Sequence, residues 1–205
     1  MSVLSHISIE EYLASGRLVI NPAPIKINPD SIEFTLGNEF IHFQETRQTE
    51  IDIRKKMLEG PNEIPVRTVI DKPEDGFVIY PNTLYLATTL EYVEMPDDLI
   101  LKIEGKSTVG RYGLVPVTAG VIDPGFHGQI TLEIFSLNKL PVVVYPGMCI
   151  AQGIFTKLDR PAKITYGDKK LRSRYFGQKG VTLPDPSNLF LPGWRERVQT
   201  YRKVK

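Results

Sequence analysis

From Phe77 onward, short apolar runs alternate with turn signals: "FVIYP", "LYLATTLEYVEMPDD", "LILKIEG", "GLVPVT", "AGVIDPGFHG", "QITLEIFSLNKLP", "VVVYPG" and "MCIAQGIFTKL". Turns recur about every eight to twelve residues, the spacing of an all-β barrel or jelly roll. No helical patterns alternate with these strands, so a doubly wound parallel sheet is not expected. Within "GQITLEIFS", alternation places Ile130, Leu132 and Ile134 on one face and Gln129, Thr131, Glu133 and Phe135 on the other. A glutamate in that setting ordinarily lies on the wet side of an antiparallel sheet. Just upstream, Asp123-Pro124-Gly125 is a turn signal in its own right.

The N-terminal segment has a different period. Ile9, Tyr12 and Leu13 share a helical face, Ser8 and Glu11 have capping-box spacing, and Gly16 provides a stop. This predicts a short amphipathic helix packed on something larger. From Arg17 to Phe43, Pro, Asn and Asp punctuate short apolar runs, as in strands joined by turns. Residues 44 to 76 are charged and loosely patterned; "EIDIRKKMLEGPNEIP" reads as helix then loop within an exposed excursion. After Leu158 the chain turns polar and basic and ends in an arm rather than in more barrel.

At 205 residues, the chain is the length of one domain, with or without arms. Its 25 basic and 24 acidic residues leave a net charge of +1, so no broad field selects nucleic acid or an anionic membrane. Any anionic ligand must be caught locally. No apolar run reaches bilayer length and the N-terminus lacks signal-peptide organisation, so a cytoplasmic protein is expected. The single cysteine, Cys149, reads as a small core residue with no catalytic role. The three histidines begin "HIS", "HFQ" and "HGQ", which excludes the His-x-Glu and Cys-x-x-Cys pattern of zinc nucleobase deaminases.

"GKSTVGRYG", residues 105 to 113, has the ingredients of an anion-binding segment. It is not a P-loop, since Ile100 stands where that motif needs its first glycine. Ser107, Thr108 and Arg111 still offer hydroxyl and guanidinium donors to an anion. The commoner use of such hydroxyls is to cap a helix.

Taken in order, "GKSTVGRYGLVPVTAGVIDPGFHGQITLEIF", "LPVVVYPGMCIAQGIF" and "TYGDKKLRSRYFGQKG" closely resemble the dCTP deaminase family, part of the trimeric dUTPase superfamily. "YLASGRLVINP" and "SIEFTLGNEF" resemble that family's opening. The likeness covers nearly all of residues 7 to 184, weakens across 44 to 76 and is lost after about Pro184. It implies a mainly β fold, a distorted β-barrel or jelly roll of dUTPase-like type, with a short N-terminal helix and a C-terminal arm. The domain would span residues 1–183 and the extension 184–205.

The resemblance further implies a homotrimer with active sites at subunit boundaries. Lys106, Ser107, Thr108 and Arg111 would contact the nucleotide, with Lys106 standing where the family often has arginine. Glu133 matches the catalytic glutamate, which would take a proton from the water attacking C4 of cytosine and return one to the leaving ammonia. Its pKa is expected to be raised by partial burial, and Ser107 and Arg111 would position the water and the carboxylate. Asp123 falls near deoxyribose and base, Thr118 and Ala119 at the cytosine edge, and Thr131 among the substrate contacts. Gln152, Tyr166, Arg174 and Gln178 carry over by position, the last two on a tail that would close as a lid. Mg²⁺ would ride on the triphosphate and no zinc would be needed.

The expected reaction is deamination of dCTP to dUTP and ammonia, with dTTP as an inhibitor by family likeness. Three other readings stay open: a bifunctional enzyme carrying dCTP through to dUMP, with which Gly120 is compatible; a dUTP diphosphatase using Asp123; and a nucleotide-binding trimer without catalysis.

Overall fold

The computed structural model describes residues 2–44, 51–54, 64–117, 120–171, 173–186, 189 and 192–203. Two compact units emerge: residues 1–43 with 65–182, and residues 44–64 with 183–205. The first is a curled, mainly β structure. Its strands are β1 (Ser2–Val3), β2 (Val19–Asn21), β3 (Ile32–Phe43), β4 (Pro65–Val69), β5 (Phe77–Ile79), β6 (Leu84–Glu94), β7 (Leu99–Gly105), β8 (Leu114–Val117), β9 (Val121–Ile122), β10 (His127–Ser136), β11 (Val142–Val144) and β12 (Cys149–Lys157). In the second unit, the described residues include one helix, Trp194–Lys203. No helix among the described residues is long and apolar enough to cross a membrane.

Ten strands form one sheet in the order β8-β10-β6-β3-β12-β7-β9, with β1 on β12, β2 on β6 and β4 on β3, while β5 and β11 make a separate ribbon. Each apolar run from Phe77 onward becomes a strand, and β10 alternates half-buried and buried residues without a break. The inward set of Ile130, Leu132 and Ile134 joins Phe34, Phe40, Leu101 and Phe155 in the core. Gly153 is required by this packing, because a Cβ there would lie 2.5 Å from the Phe34 ring and 2.8 Å from Leu101.

Two local expectations change. Helix α1 spans His6–Ala14 with Ser5, not Ser8, at its N-cap and no side-chain capping bond, so the Ser8–Glu11 spacing is not a capping box. Burial of Ile9 and Tyr12 fixes its face, and Gly16 (φ +70°) ends it as expected. The Tyr12 hydroxyl donates to Asp98 at 2.6 Å, tying α1 to the barrel. The charged excursion contains a strand, β4, paired with the outer half of β3 from Phe43↔Pro65 to Glu39↔Val69. The helix expected in "EIDIRKKMLEGPNEIP" falls largely outside the described residues.

Candidate active site

β7 runs out of the barrel at Gly105, and the chain turns at once into a five-residue helix, α2 (Ser107–Arg111), anchored by buried Val109. Lys106 is its N-cap residue, and no side chain caps the helix. Ser107 and Thr108 are therefore not caps; with Arg111 they face outward and exposed. Beside them opens a cavity of about 520 Å³ lined by Lys102, Glu104, Lys106, Ser107, Gly110 and Gly120, among others. Gly120 has a φ of +110°, a backbone angle that favours glycine, and nothing lies within 4 Å of where a Cβ would be. Room is left beside it.

The ammonium of Lys106 is already engaged. It lies 2.5 Å from a carboxylate oxygen of Glu33, a β3 residue only 4% exposed, which also accepts a bond from the Asn28 amide at 3.1 Å. Burial pushes the Glu33 carboxyl upward, but the hydrogen bonds from Lys106 and Asn28, with the Lys106 charge, outweigh it and hold the group below its ordinary value. Gln152 stands opposite Glu33 on one side and Glu104 on the other, in a row across β3, β12 and β7. Directly opposed residues share a sheet face, so Gln152 lies between Glu33 and the cavity-lining Glu104, although it does not itself line the cavity.

A second group forms around the turn before β10. Asp123-Pro124-Gly125-Phe126 closes with the Phe126 N–H donating to the Asp123 carbonyl at 3.1 Å, and Gly125 supplies the φ of +76° that a type II turn needs. Asp123 itself is exposed. The Tyr166 N–H donates to the Pro124 carbonyl at 2.8 Å, and its ring packs 5.6 Å from Phe126. Burial raises the Tyr166 hydroxyl pKa and the nearby Asp123 charge adds to that rise, while a bond from the Tyr175 N–H works against it. Arg174 lies over the Tyr175 ring at 5.9 Å and acts electrostatically on Tyr166. The turn, Tyr166 and Arg174 are thus gathered in one place.

On β10, Glu133 is half-buried and stands opposite Leu86 of β6 and Val117 of β8. Thr131, opposite Thr88, has a buried hydroxyl with no hydrogen-bond partner among the described residues. Thr118 and Ala119 lie outside the described residues, although the chain enters them from Val117, the partner of Glu133. Neither Glu133 nor Asp123 lines the Lys106 cavity. Glu133 nevertheless stands on the strand paired with β8, whose Leu114, Val115 and Pro116 do line it.

The tail docks along the start of β10. Gly177 N–H donates to the His127 carbonyl, Gln129 N–H to the Gln178 carbonyl, and the Gln178 amide back to the Gln129 carbonyl. The Gln129 side chain accepts from Gly180 N–H at 2.8 Å and donates to the carbonyls of Thr89 and Leu90. Glu39 then accepts from Val181 N–H at 2.7 Å, and Arg67, bonded to Glu39, donates to the Val181 carbonyl. Gln178 therefore serves the docking of the tail. Sequence reading missed Glu33, Gln129, Glu39 and Arg67. Alternation marked Gln129 only as outward, and no motif singles out the other three.

The family model for dCTP deaminase-like proteins matches residues 3–158. A protein of Methanobrevibacter smithii named "dCTP deaminase, dUMP-forming" is 41% identical over 181 residues, covering 87% of this chain and 92% of its own. One of the same name from Dictyoglomus thermophilum is 43% identical over 184 residues, covering 88% and 92%. The crystal structure of 2'-deoxycytidine 5'-triphosphate deaminase from Agrobacterium tumefaciens superposes with a TM-score of 0.53 at 20% identity, over 75% of this chain and 46% of that one. That likeness is one of fold, and it agrees with the expected mainly β, dUTPase-like architecture. The relatives' names overturn one expectation: they give dUMP, not dUTP, as the product. Matched by the family model over residues 3–158 and at better than 40% identity by relatives that it covers almost end to end, the chain belongs to the dCTP deaminase-like family.

Proposed function

We propose that this chain hydrolyses dCTP to dUMP, releasing ammonia and diphosphate, with two waters consumed. The observation that carries this reading is that eight relatives, 38–43% identical, are all named dUMP-forming. The geometry supports it with two carboxylates in unlike settings, half-buried Glu133 on β10 and exposed Asp123 on the turn that feeds the same strand.

In the first half-reaction Glu133 takes a proton from a water that adds to C4 of cytosine. The tetrahedral intermediate collapses as the amino group leaves protonated, and the ring becomes uracil. Thr131 and the segment through Thr118 and Ala119 contact the base, while Ser107 and Arg111 position the water and the carboxylate. In the second, Asp123 activates a water toward the α-phosphorus and diphosphate departs. Lys106, Ser107, Thr108 and Arg111 hold the phosphates, and Tyr166, Arg174, Gln152 and the docked tail through Gln178 complete the enclosure.

Mg²⁺ carried on the phosphates would offset their charge and needs no protein cage. The lining supports that arrangement: the ammoniums of Lys102 and Lys106 and the Ser107 hydroxyl suit phosphate oxygens, and Glu104 is the one carboxylate beside them among the described residues. The chain works as a homotrimer with sites shared between subunits. This reading follows the resemblance to the trimeric dUTPase superfamily, and in the single chain neither Glu133 nor Asp123 lines the Lys106 cavity.

The two half-reactions separate by mutation. With dCTP as substrate, Glu133→Gln loses ammonia release by at least about a hundredfold, the factor of a positioned base, and retains nucleotide binding. Asp123→Asn continues to release ammonia but accumulates dUTP, its diphosphate release falling by a similar factor. Turnover of Glu133→Gln within about threefold of wild type removes Glu133 from the base role, and loss of both products in Asp123→Asn assigns that residue to binding rather than to the second water.

A further inference from the structure

We propose that Glu33 sets the affinity of the Lys106 wall for polyphosphate: its buried carboxylate holds and partly neutralises the Lys106 ammonium, weakening the grip on substrate triphosphate and on released diphosphate. The inference rests on the proposed function for the identity of the ligand. Its physical basis is the ion pair at 2.5 Å between Lys106, which lines the cavity, and a carboxylate on β3 that is 4% exposed.

Two consequences of such a pair oppose each other. A fixed ammonium has already lost its side-chain rotamer freedom, which favours binding of an anion. The carboxylate behind it also repels that anion, across only the width of the ammonium. Because Glu33 is nearly sealed from water, this repulsion is screened far less than at an exposed site, and it exceeds the gain from ordering one lysine. The net effect of Glu33 is therefore to moderate binding. The remaining neighbours do not reverse this: Asn28 contributes a neutral amide bond, Lys26 acts on Glu33 only through its charge, behind Lys106, and Lys102 and Glu104, which also line the cavity, carry opposite charges. An enzyme that must release a polyanionic product after each turnover benefits from such moderation. A lysine with a buried counter-charge provides it.

The test compares wild type, Glu33→Gln, Lys106→Met and the double variant, measuring thermal unfolding, calorimetric binding of inorganic tripolyphosphate, and KM for dCTP. Glu33→Gln is expected to bind tripolyphosphate about tenfold more tightly, with KM for dCTP and inhibition by diphosphate shifted in the same direction. Lys106→Met leaves Glu33 buried and unpaired, so it should unfold at a lower temperature; the double variant recovers the melting temperature but not the affinity. Unchanged tripolyphosphate affinity in Glu33→Gln would make the pair a strut of the fold. Weaker affinity would make Glu33 an orienting residue, and either result overturns the proposal. If Glu33→Gln fails to fold, Lys106→Met and the double variant decide, since they differ only at Glu33: removal of the carboxylate should still tighten tripolyphosphate binding there, and equal affinity in those two variants overturns the proposal. Wild type that binds tripolyphosphate yet releases neither ammonia nor diphosphate from dCTP would remove the proposed function, while the affinity comparison would still judge Glu33.

Discussion

Two residues on neighbouring strands show how burial decides the role of a polar group here. The Thr131 hydroxyl is buried without a partner among the described residues. An unsatisfied buried polar group costs about 1–3 kcal/mol. Thr131→Val, of the same shape, should therefore raise stability by up to about 1 kcal/mol in denaturant unfolding while raising KM for dCTP. A lower stability in that variant would mean that the hydroxyl is bonded in the free protein. Glu91 is the contrasting case. It is 2% exposed and accepts bonds from the Thr35 N–H and hydroxyl, the latter at 2.6 Å, with no cation paired to it among the described residues. Burial raises its pKa above the ordinary carboxylate value despite those bonds. The folded state thus holds this proton to higher pH than the unfolded chain, so the Glu91 contribution to stability falls as pH rises from the unfolded pKa through the folded one. Comparing Glu91→Gln with wild type by chemical unfolding should show a gap in favour of the variant that widens from about pH 4 toward neutrality. A gap that narrows over that range would reverse the sign of the account.

At the level of elements, the tail is held by β10 more than by its own residues. Gln129 uses its N–H, its carbonyl and both side-chain polar atoms, and three of these four groups engage Gln178 or Gly180. Gln129→Ala removes the side-chain bonds, worth about 0.5–1.5 kcal/mol each, so tryptic cleavage after exposed Lys179 should rise by about tenfold, with a higher KM for dCTP. Cleavage at the wild-type rate would place the hold on the tail in Glu39 and Arg67 instead. The strands from Phe77 onward were legible because alternation and turn residues agree at every step, and the Asp123 turn for the same reason. β4 was not, because "PVRTV" is an edge strand whose exposed positions carry no clear apolar face; only its partner β3 defines it. The start of α1 was misplaced because Ser5 and Ser8 both suit a cap, and the backbone chose the earlier one. Glu33 and Glu91 were illegible for a further reason. Residues 31–37, around Glu33, and 85–89, just before Glu91 on β6, are runs of buried positions, so period-two reasoning assigns no wet face there, and a carboxylate inside is revealed only by its partner.

For the whole molecule, the proposal that each site is shared between subunits leads to an assembly test. Mixing Glu133→Gln subunits with Arg111→Ala subunits, each inactive alone, should restore activity after unfolding and reassembly if every site draws on two subunits of a trimer. Random assortment then leaves about a quarter of sites intact. No recovery would put both residues in one chain's site. The central claim is that dCTP is carried through to dUMP, and its most direct measurement is the product stoichiometry of the wild-type protein. With dCTP and Mg²⁺, ammonia, diphosphate and dUMP should appear in equal amounts from the first time point. Accumulation of dUTP with ammonia but without diphosphate would contradict it.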